Sequence, residues 1–254
     1  MLSHRNLPQR QNLSRLQRIA IAPEQRQQQQ IQLTPAQHHY LTRVLRLRTG
    51  DRFLVLESLG DRWLAELAGN CAQLLELAPA ETELSTAVTL LAALPKGSGF
   101  EQVVQQATEL GVTQIMPLMS DRTLLKPSPQ KVERWRRIAQ EAAEQSQRQQ
   151  VPILTDPVTF EQGIATRQGW LCVTEPEAEH LWNCLQGELG AEIAIATGPE
   201  GGWTEAEVLQ AVAAGWQPVS LGQRILRAVT APIVGLSLVA ARLELAQTAK
   251  RPET

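Results

Sequence analysis

Cysteine is scarce in this chain. Cys71, Cys172 and Cys184 are the only three among 254 residues, they lie far apart, and none belongs to a C-x-x-C pair. That spacing argues against a thiol zinc site or a dithiol redox motif and points to a reducing, cytoplasmic setting. No apolar run approaches the ~20 residues needed to cross a bilayer, so no membrane span is expected. The opening MLSHRNLPQRQNLSR lacks the apolar stretch of a secretory signal. It is Arg-rich and acid-poor, a faint likeness to a transit peptide, and residues 1–13 read more simply as a flexible tail. Neither G-x-G-x-x-G nor G-x-x-x-x-G-K-[ST] occurs, so the dinucleotide and P-loop readings lack their fingerprints, and no G-x-S-x-G marks a nucleophile elbow. Among the histidines, His4 and His180 are isolated, while His38 and His39 are adjacent and would point apart. No metal centre is expected.

What is present is enough for a packed core: 43% of the residues are hydrophobic, and the length suits one large domain or two ordinary ones. The net charge of -2 hides an asymmetry. Up to Asp51 the chain carries Arg5, Arg10, Arg15, Arg18, Arg26, Arg43, Arg46 and Arg48, opposed by Glu24 and Asp51 alone. Arginine's planar fork suits phosphate, so Arg15, Arg18, Arg43, Arg46 and Arg48 are candidate RNA contacts. From charge alone, arginines that merely solvate a surface account for the pattern equally well.

Residues 14–80 read as a small strand-rich unit. Residues 16–22 suit a strand and 25–30 a polar, exposed loop. Thr34-Pro35-Ala36-Gln37 fits a helix start, with the hydroxyl as cap, Pro at the first helical position and Gln at the third, opening a helix to about Leu45. Residues 53–57 and 63–67 form a hairpin across Leu59-Gly60-Asp61, and 74–77 suits a further strand. Residues 79–85 are acidic and turn-like, as in a linker. Residues 86–248 then alternate strictly. Strands are expected at 88–94, 115–118, 151–154, 170–174, 193–196 and 216–221, with helices at 99–110, 129–147, 159–167, 178–185, from Thr204 and over 233–245. Such alternation specifies an α/β domain with a mostly parallel sheet covered on both faces.

The richest stretch is 191–241. A short apolar strand runs into Thr197-Gly198-Pro199-Glu200-Gly201-Gly202, and Thr204 with Glu207 forms a capping box. A second strand then runs into residues 222–227 ahead of a long apolar helix. Both loops follow strands of one sheet, at the carboxyl edge where open α/β sheets bind ligands. Gly198, Gly201, Gly202 and Gly222 would let backbone amides approach a ligand, and Trp203 and Leu226 offer apolar surface to a flat ring. Glu200 brings the one charge of the first loop. By the residues alone, ordinary connections with glycines placed for geometry remain an equal account.

Gly198-Pro199-Glu200-Gly201-Gly202, followed by Leu221-Gly222, Arg224-Ile225-Leu226-Arg227 and Thr230-Ala231, resembles the ribosomal RNA small subunit methyltransferase E family. The likeness continues through Leu94-Pro95-Lys96-Gly97, Thr108-Glu109-Leu110-Gly111-Val112, Arg134-Trp135, Glu141-Ala142-Ala143-Glu144-Gln145-Ser146, Arg148 and Val151-Pro152. In the first domain it includes His39, Val44-Leu45-Arg46 and Gly50-Asp51. It covers nearly the whole chain after about Leu13.

The resemblance implies a PUA-like RNA-binding β-barrel, then a SPOUT-type α/β domain with a carboxyl-terminal trefoil knot. It further implies S-adenosylmethionine-dependent methylation of N3 of one uridine in 16S ribosomal RNA, on the small subunit, by a homodimer. Carried over residue by residue, Thr174, Glu175, Gly198, Pro199, Glu200, Gly201, Gly202, Leu221, Gly222, Ile225 and Leu226 would hold the cofactor. Arg227 is the first candidate to stabilise a uracil anion and Arg148 the second, reaching across a dimer; Glu200 would accept a proton or shape its loop, the latter being favoured. One departure is Val229, where the family usually carries Glu; Gly99-Phe100 and Gln106 also replace more charged residues. Two alternatives stay open: a non-catalytic RNA-binding assembly factor on the same fold, and a methyltransferase for another nucleotide.

Overall fold

The computed structural model describes residues 13, 16–57, 61–78, 82–175 and 177–248. They divide into two compact units on either side of the 81/82 boundary.

In the first unit, β1 (Arg18–Ile21), β2 (Arg26–Gln27) and β3 (Gln30–Gln32) precede α1 (Pro35–His39), which widens into a π turn over Tyr40–Val44. Thr34 caps α1 by accepting from the Gln37 amide. Then come β4 (Arg52–Glu57), β5 (Arg62–Ala68) and β6 (Cys71–Leu77). The sheet runs β1-β4-β5-β6-β3-β2, with β1 parallel to β4 and the remaining pairs antiparallel. Apolar residues alternate onto one core, where Ile19, Ile21, Phe53, Val55 and Leu67 pack with Leu41 from the π turn. Leu54, Leu64 and Ala78 cover the other face. A strand such as β4, buried on both faces, is expected where a sheet curls on itself.

Two expectations for this unit needed correction. The Gln-rich run is not a loop but the β2–β3 hairpin, turning at Gln28 with φ of 56°. The last strand begins at Cys71, because Cys71 and Ala72 pair with Gln32 and Ile31 although their short run carries little apolar signal. The expected hairpin joins β4 to β5, and the Glu57 amide donates to the Asp61 carbonyl at its base; residues 58–60 at its tip lie outside the described residues.

The second unit contains β7 (Ala87–Ala93), α2 (Gly99–Glu109), β8 (Gln114–Met119), α3 (Pro129–Gln145), β9 (Ile153–Leu154), β10 (Val158–Thr159) and α4 (Phe160–Ala165). It continues with β11 (Trp170–Val173), α5 (Leu181–Cys184), β12 (Glu192–Thr197), α6 (Glu205–Ala213), β13 (Gln217–Ser220) and α7 (Ala231–Thr248). Every pair in the sheet is parallel, in the order β10-β8-β7-β12-β11-β13 with β9 beside β8. Strand β12 inserts between β7 and β11, and the chain then passes β11 to lay β13 on its far side.

Successive residues of β7 explain how the sheet is covered. Val88, Leu90 and Ala92 face a core shared with Phe100, Val104, Trp135 and Val239 from α2, α3 and α7. Leu91 and Ala93 face the opposite core with Phe160, Ile164 and Ala211 from α4 and α6. Trp135, fully buried, packs against Phe100 in a tilted ring pair with centroids 4.5 Å apart. Helix α2 ends where Gly111 takes a φ of 89°, a left-handed stop just past the end expected at 110. The helix expected at 178–185 shrinks to the single turn of α5, because His180 caps it, Nδ1 accepting from the Trp182 amide.

Candidate active site

The register of the central strands sets the site. Cys172 lies opposite Thr197, and Val173 opposite Ser220, so β11, β12 and β13 end nearly level. The loops after them emerge side by side at the carboxyl edge and enclose a cleft of about 260 Å³. Gly198, Pro199, Gly201 and Gly202 line it from the first loop, Leu221, Gly222, Ile225 and Leu226 from the second, and Thr174 and Glu175 from the loop after β11. Gly202 and Gly222 hold φ of 66° and 117°, which side chains resist. The Trp203 indole forms one wall: it lies against Gly198, where a Cβ would come within 3.3 Å of the ring, and its Nε1 donates to the Cys172 carbonyl at 2.9 Å.

Glu200 stands apart from these lining residues. Its Oε1 accepts the Lys96 amide at 2.9 Å, tying the 198–202 loop to the loop after β7. Arg227 is exposed at the rim, between Leu226 and Ala228, which both line the cleft. Its carbonyl accepts from the Thr230 and Ala231 amides, closing the turn that starts α7. Among the described residues its guanidinium carries no hydrogen bond or ion pair.

Arg148 is a correction. It is 2% exposed and lies outside the cleft lining. Its Nη1 donates to the Val112 and Thr108 carbonyls at 2.6 and 3.2 Å, while Nε and Nη2 engage the Glu83 carboxylate. A guanidinium committed on all sides braces the end of α2 and has no face left for a nucleobase.

Sequence reasoning overlooked Arg122, which follows β8 and lines the same cleft. Its Nη1 donates to the Gly201 carbonyl at 2.5 Å and the Trp203 carbonyl at 3.1 Å. The neighbouring Asp121 amide donates to Glu207 Oε1 at 2.9 Å, and Thr204 Oγ1 lies 3.2 Å from Asp121 Oδ2. The capping box at α6 thus doubles as an anchor for the Arg122 loop. A basic residue in the loop after a sheet strand was the available signal. Cys172 also lines the cleft, and burial pushes its thiol up to about 12, so it stays protonated. Val229 is half-buried and packs toward Gly99, so its apolar side chain fills a niche.

In the first unit Arg43, Arg46 and Arg48 are exposed, with Val44 and Tyr40 exposed beside them. Arg46 holds a φ of 60°, and the Arg48 amide donates to Asp51 Oδ2. Arg18 differs from that group: it is half-buried, and desolvation lowers its pKa. Arg15 lies outside the described residues.

Residues 82–240 match the RNA methyltransferase domain family, and residues 33–70 the RNA methyltransferase PUA domain family. With a strand-end cleft on a parallel sheet, these define the class: the protein is an RNA methyltransferase. A Synechocystis protein named ribosomal RNA small subunit methyltransferase E is 52% identical over 236 residues, spanning 89% of this chain and 78% of that one. Its Bacillus subtilis namesake is 33% identical, over 84% of this chain and 90% of the relative. The crystal structure of the Neisseria gonorrhoeae enzyme of that name, bound to S-adenosyl methionine, superposes with a TM-score of 0.78 at 26% identity, covering 89% of this chain and 97% of that one. The chain belongs to the ribosomal RNA small subunit methyltransferase E family.

Proposed function

We propose that this protein transfers a methyl group from S-adenosylmethionine to N3 of a uridine in the 16S ribosomal RNA of the small subunit. The observation that carries the reading is the meeting of the 198–202 and 221–226 loops in one cleft, with the uncommitted guanidinium of Arg227 at its rim. The cleft's chemistry suits the donor: Trp203 and Leu226 give apolar walls for an adenine ring, and left-handed Gly202 and Gly222 leave backbone open to its polar groups. When bound, S-adenosylmethionine supplies a methyl group already activated on a sulfonium sulfur, so the protein's part is to align it with the nucleophile.

Uridine N3 carries a proton at neutral pH and must lose it before attack. Arg227 holds the uracil carbonyls and stabilises the negative charge that develops as N3 gives its proton to solvent. Glu200 does not line the cleft, and its Oε1 is held by the Lys96 amide; it shapes the donor loop. Exposed Arg43, Arg46 and Arg48 engage phosphates of the RNA. The reading includes a homodimer and a knotted path through 197–231; sedimentation at micromolar concentration tests the former. No helix among the described residues is long and apolar enough to cross a membrane.

The direct test uses small subunits from cells lacking the protein, incubated with S-adenosylmethionine and mapped by reverse transcription, which stalls at an N3-methylated uridine. One new stop is expected. Arg227→Ala should lower methylation by about 10²–10³-fold while calorimetric binding of S-adenosylmethionine survives. Undiminished methylation would remove Arg227 from this role, and absence of donor binding by the wild type would favour the RNA-binding factor instead.

A further inference from the structure

We propose that residues 95–99, between β7 and α2, are a shared footing that fixes the distance from the methyl donor to Arg227, with Val229 seated in a niche left by Gly99. The inference rests on the role given to Arg227 above. One short segment meets both elements. At one end, the Lys96 amide holds Glu200 and with it the donor loop. At the other, a Cβ built on Gly99 would lie 2.6 Å from Val229 Cγ1 and 3.4 Å from Pro95 Cγ, so the valine occupies the space that any larger residue would need.

The footing itself is held from behind. Lys131 Nζ donates to the Gly97 carbonyl at 3.0 Å, and Arg134 pairs with Glu101 at 2.8 Å. Val229 is the yielding partner, but it yields poorly, because a β-branched side chain has little rotamer freedom. It is also one residue from the Thr230 amide that donates to the Arg227 carbonyl at 2.8 Å. Anything that lifts Val229 therefore lifts the turn that carries Arg227. Relaxed carbon–carbon contacts are about 3.5–4.0 Å, so alanine at position 99 demands a displacement of about 1 Å. Misplacing a reactive group by about 1 Å can cost on the order of 10²-fold in rate.

Helix propensity alone gives the opposite expectation, since alanine is the better helix former at the first position of α2. The test is a double-mutant cycle on small subunits lacking the methyl group, reading kcat and the KM for S-adenosylmethionine separately. Gly99→Ala should lower kcat by about 10–100-fold, with KM nearly unchanged. Val229→Ala should cost less, and Gly99→Ala combined with Val229→Ala should recover most of the lost rate. Wild-type kcat in Gly99→Ala, or a double variant as slow as Gly99→Ala, would overturn the proposal. A crystal structure of Gly99→Ala gives a readout independent of turnover: the Arg227 turn should move by about 1 Å and return in the double variant. An unmoved turn overturns the footing. A displaced turn in a protein that methylates nothing sustains the footing and sinks the proposed function alone.

Discussion

Replacing Arg148 by methionine should unfold the second unit sooner without touching its chemistry. Methionine keeps much of the volume but removes the cation beside the Glu83 carboxylate, which retains the Gln149 amide and Gln150 Nε2, and takes the Arg148 donor from the Val112 and Thr108 carbonyls. Breaking a buried ion pair by removing one partner costs about 3–5 kcal/mol. The side chain of Arg148 is 3% exposed and that of Glu83 20%, so water and the remaining Gln149 and Gln150 donors still solvate the carboxylate, and the lower end applies, about 3 kcal/mol. For a unit of this size each kcal/mol moves the midpoint by about 2–4 °C, giving a drop of about 6–12 °C by differential scanning calorimetry. Removing Glu83 as well, as Glu83→Gln with Arg148→Met, should return part of that loss, because no charge is then left buried alone. Methylation per folded molecule should stay close to wild type at 20 °C. A variant with an unchanged midpoint and abolished methylation would refute the reasoning and return Arg148 to the chemistry.

Arg122→Ala should weaken S-adenosylmethionine binding by about 5–30-fold, the loss of charged hydrogen bonds to two carbonyls discounted for exposure, and Arg122→Lys should recover part of it. An unchanged calorimetric Kd would show that the Gly201–Trp203 turn stands without its brace. Replacing Arg43, Arg46 and Arg48 together by glutamine should flatten the logarithmic salt dependence of binding to single-stranded RNA by about 2, at roughly 0.7 per phosphate contact. An unaltered slope would move the footprint elsewhere. Cys172 should alkylate far more slowly than Cys71 in folded protein at pH 8, as peptide mass spectrometry after iodoacetamide would reveal; equal rates would contradict its burial. Because burial raises that thiol from 9.0 to about 12, the native state keeps a proton that the unfolded chain releases, so stability should fall as pH climbs through that interval.

The parallel architecture was legible because period and punctuation agreed. Gly111 stops α2, Thr204 and Glu207 start α6, and the apolar run of β7 admits no exposed face. The two glycine-marked loops of the cleft were legible because they lie close in sequence. What escaped was everything depending on distant partners. Arg148 meets Glu83 across 65 residues, and nothing local distinguishes a buried brace from a reactive arginine. Arg122 meets Gly201 across 79. The strand order was beyond periodicity too, since alternation gives direction but not neighbours. The shortening of the expected 178–185 helix to the four residues of α5 had a local cause, the His180 cap, hidden because histidine is a less usual helix cap than Ser, Thr, Asn or Asp.

The late insertion of β12 between two earlier strands bears on how a newly made chain matures. During synthesis β7 and β11 emerge first, and their facing edges wait, unpaired, for residues 192–197. Until those arrive, a growing polypeptide presents two open apolar borders suited to wrong partners. The reaction centre comes into being at the end of translation, so a prematurely terminated product should be inert and prone to aggregate, never half-active.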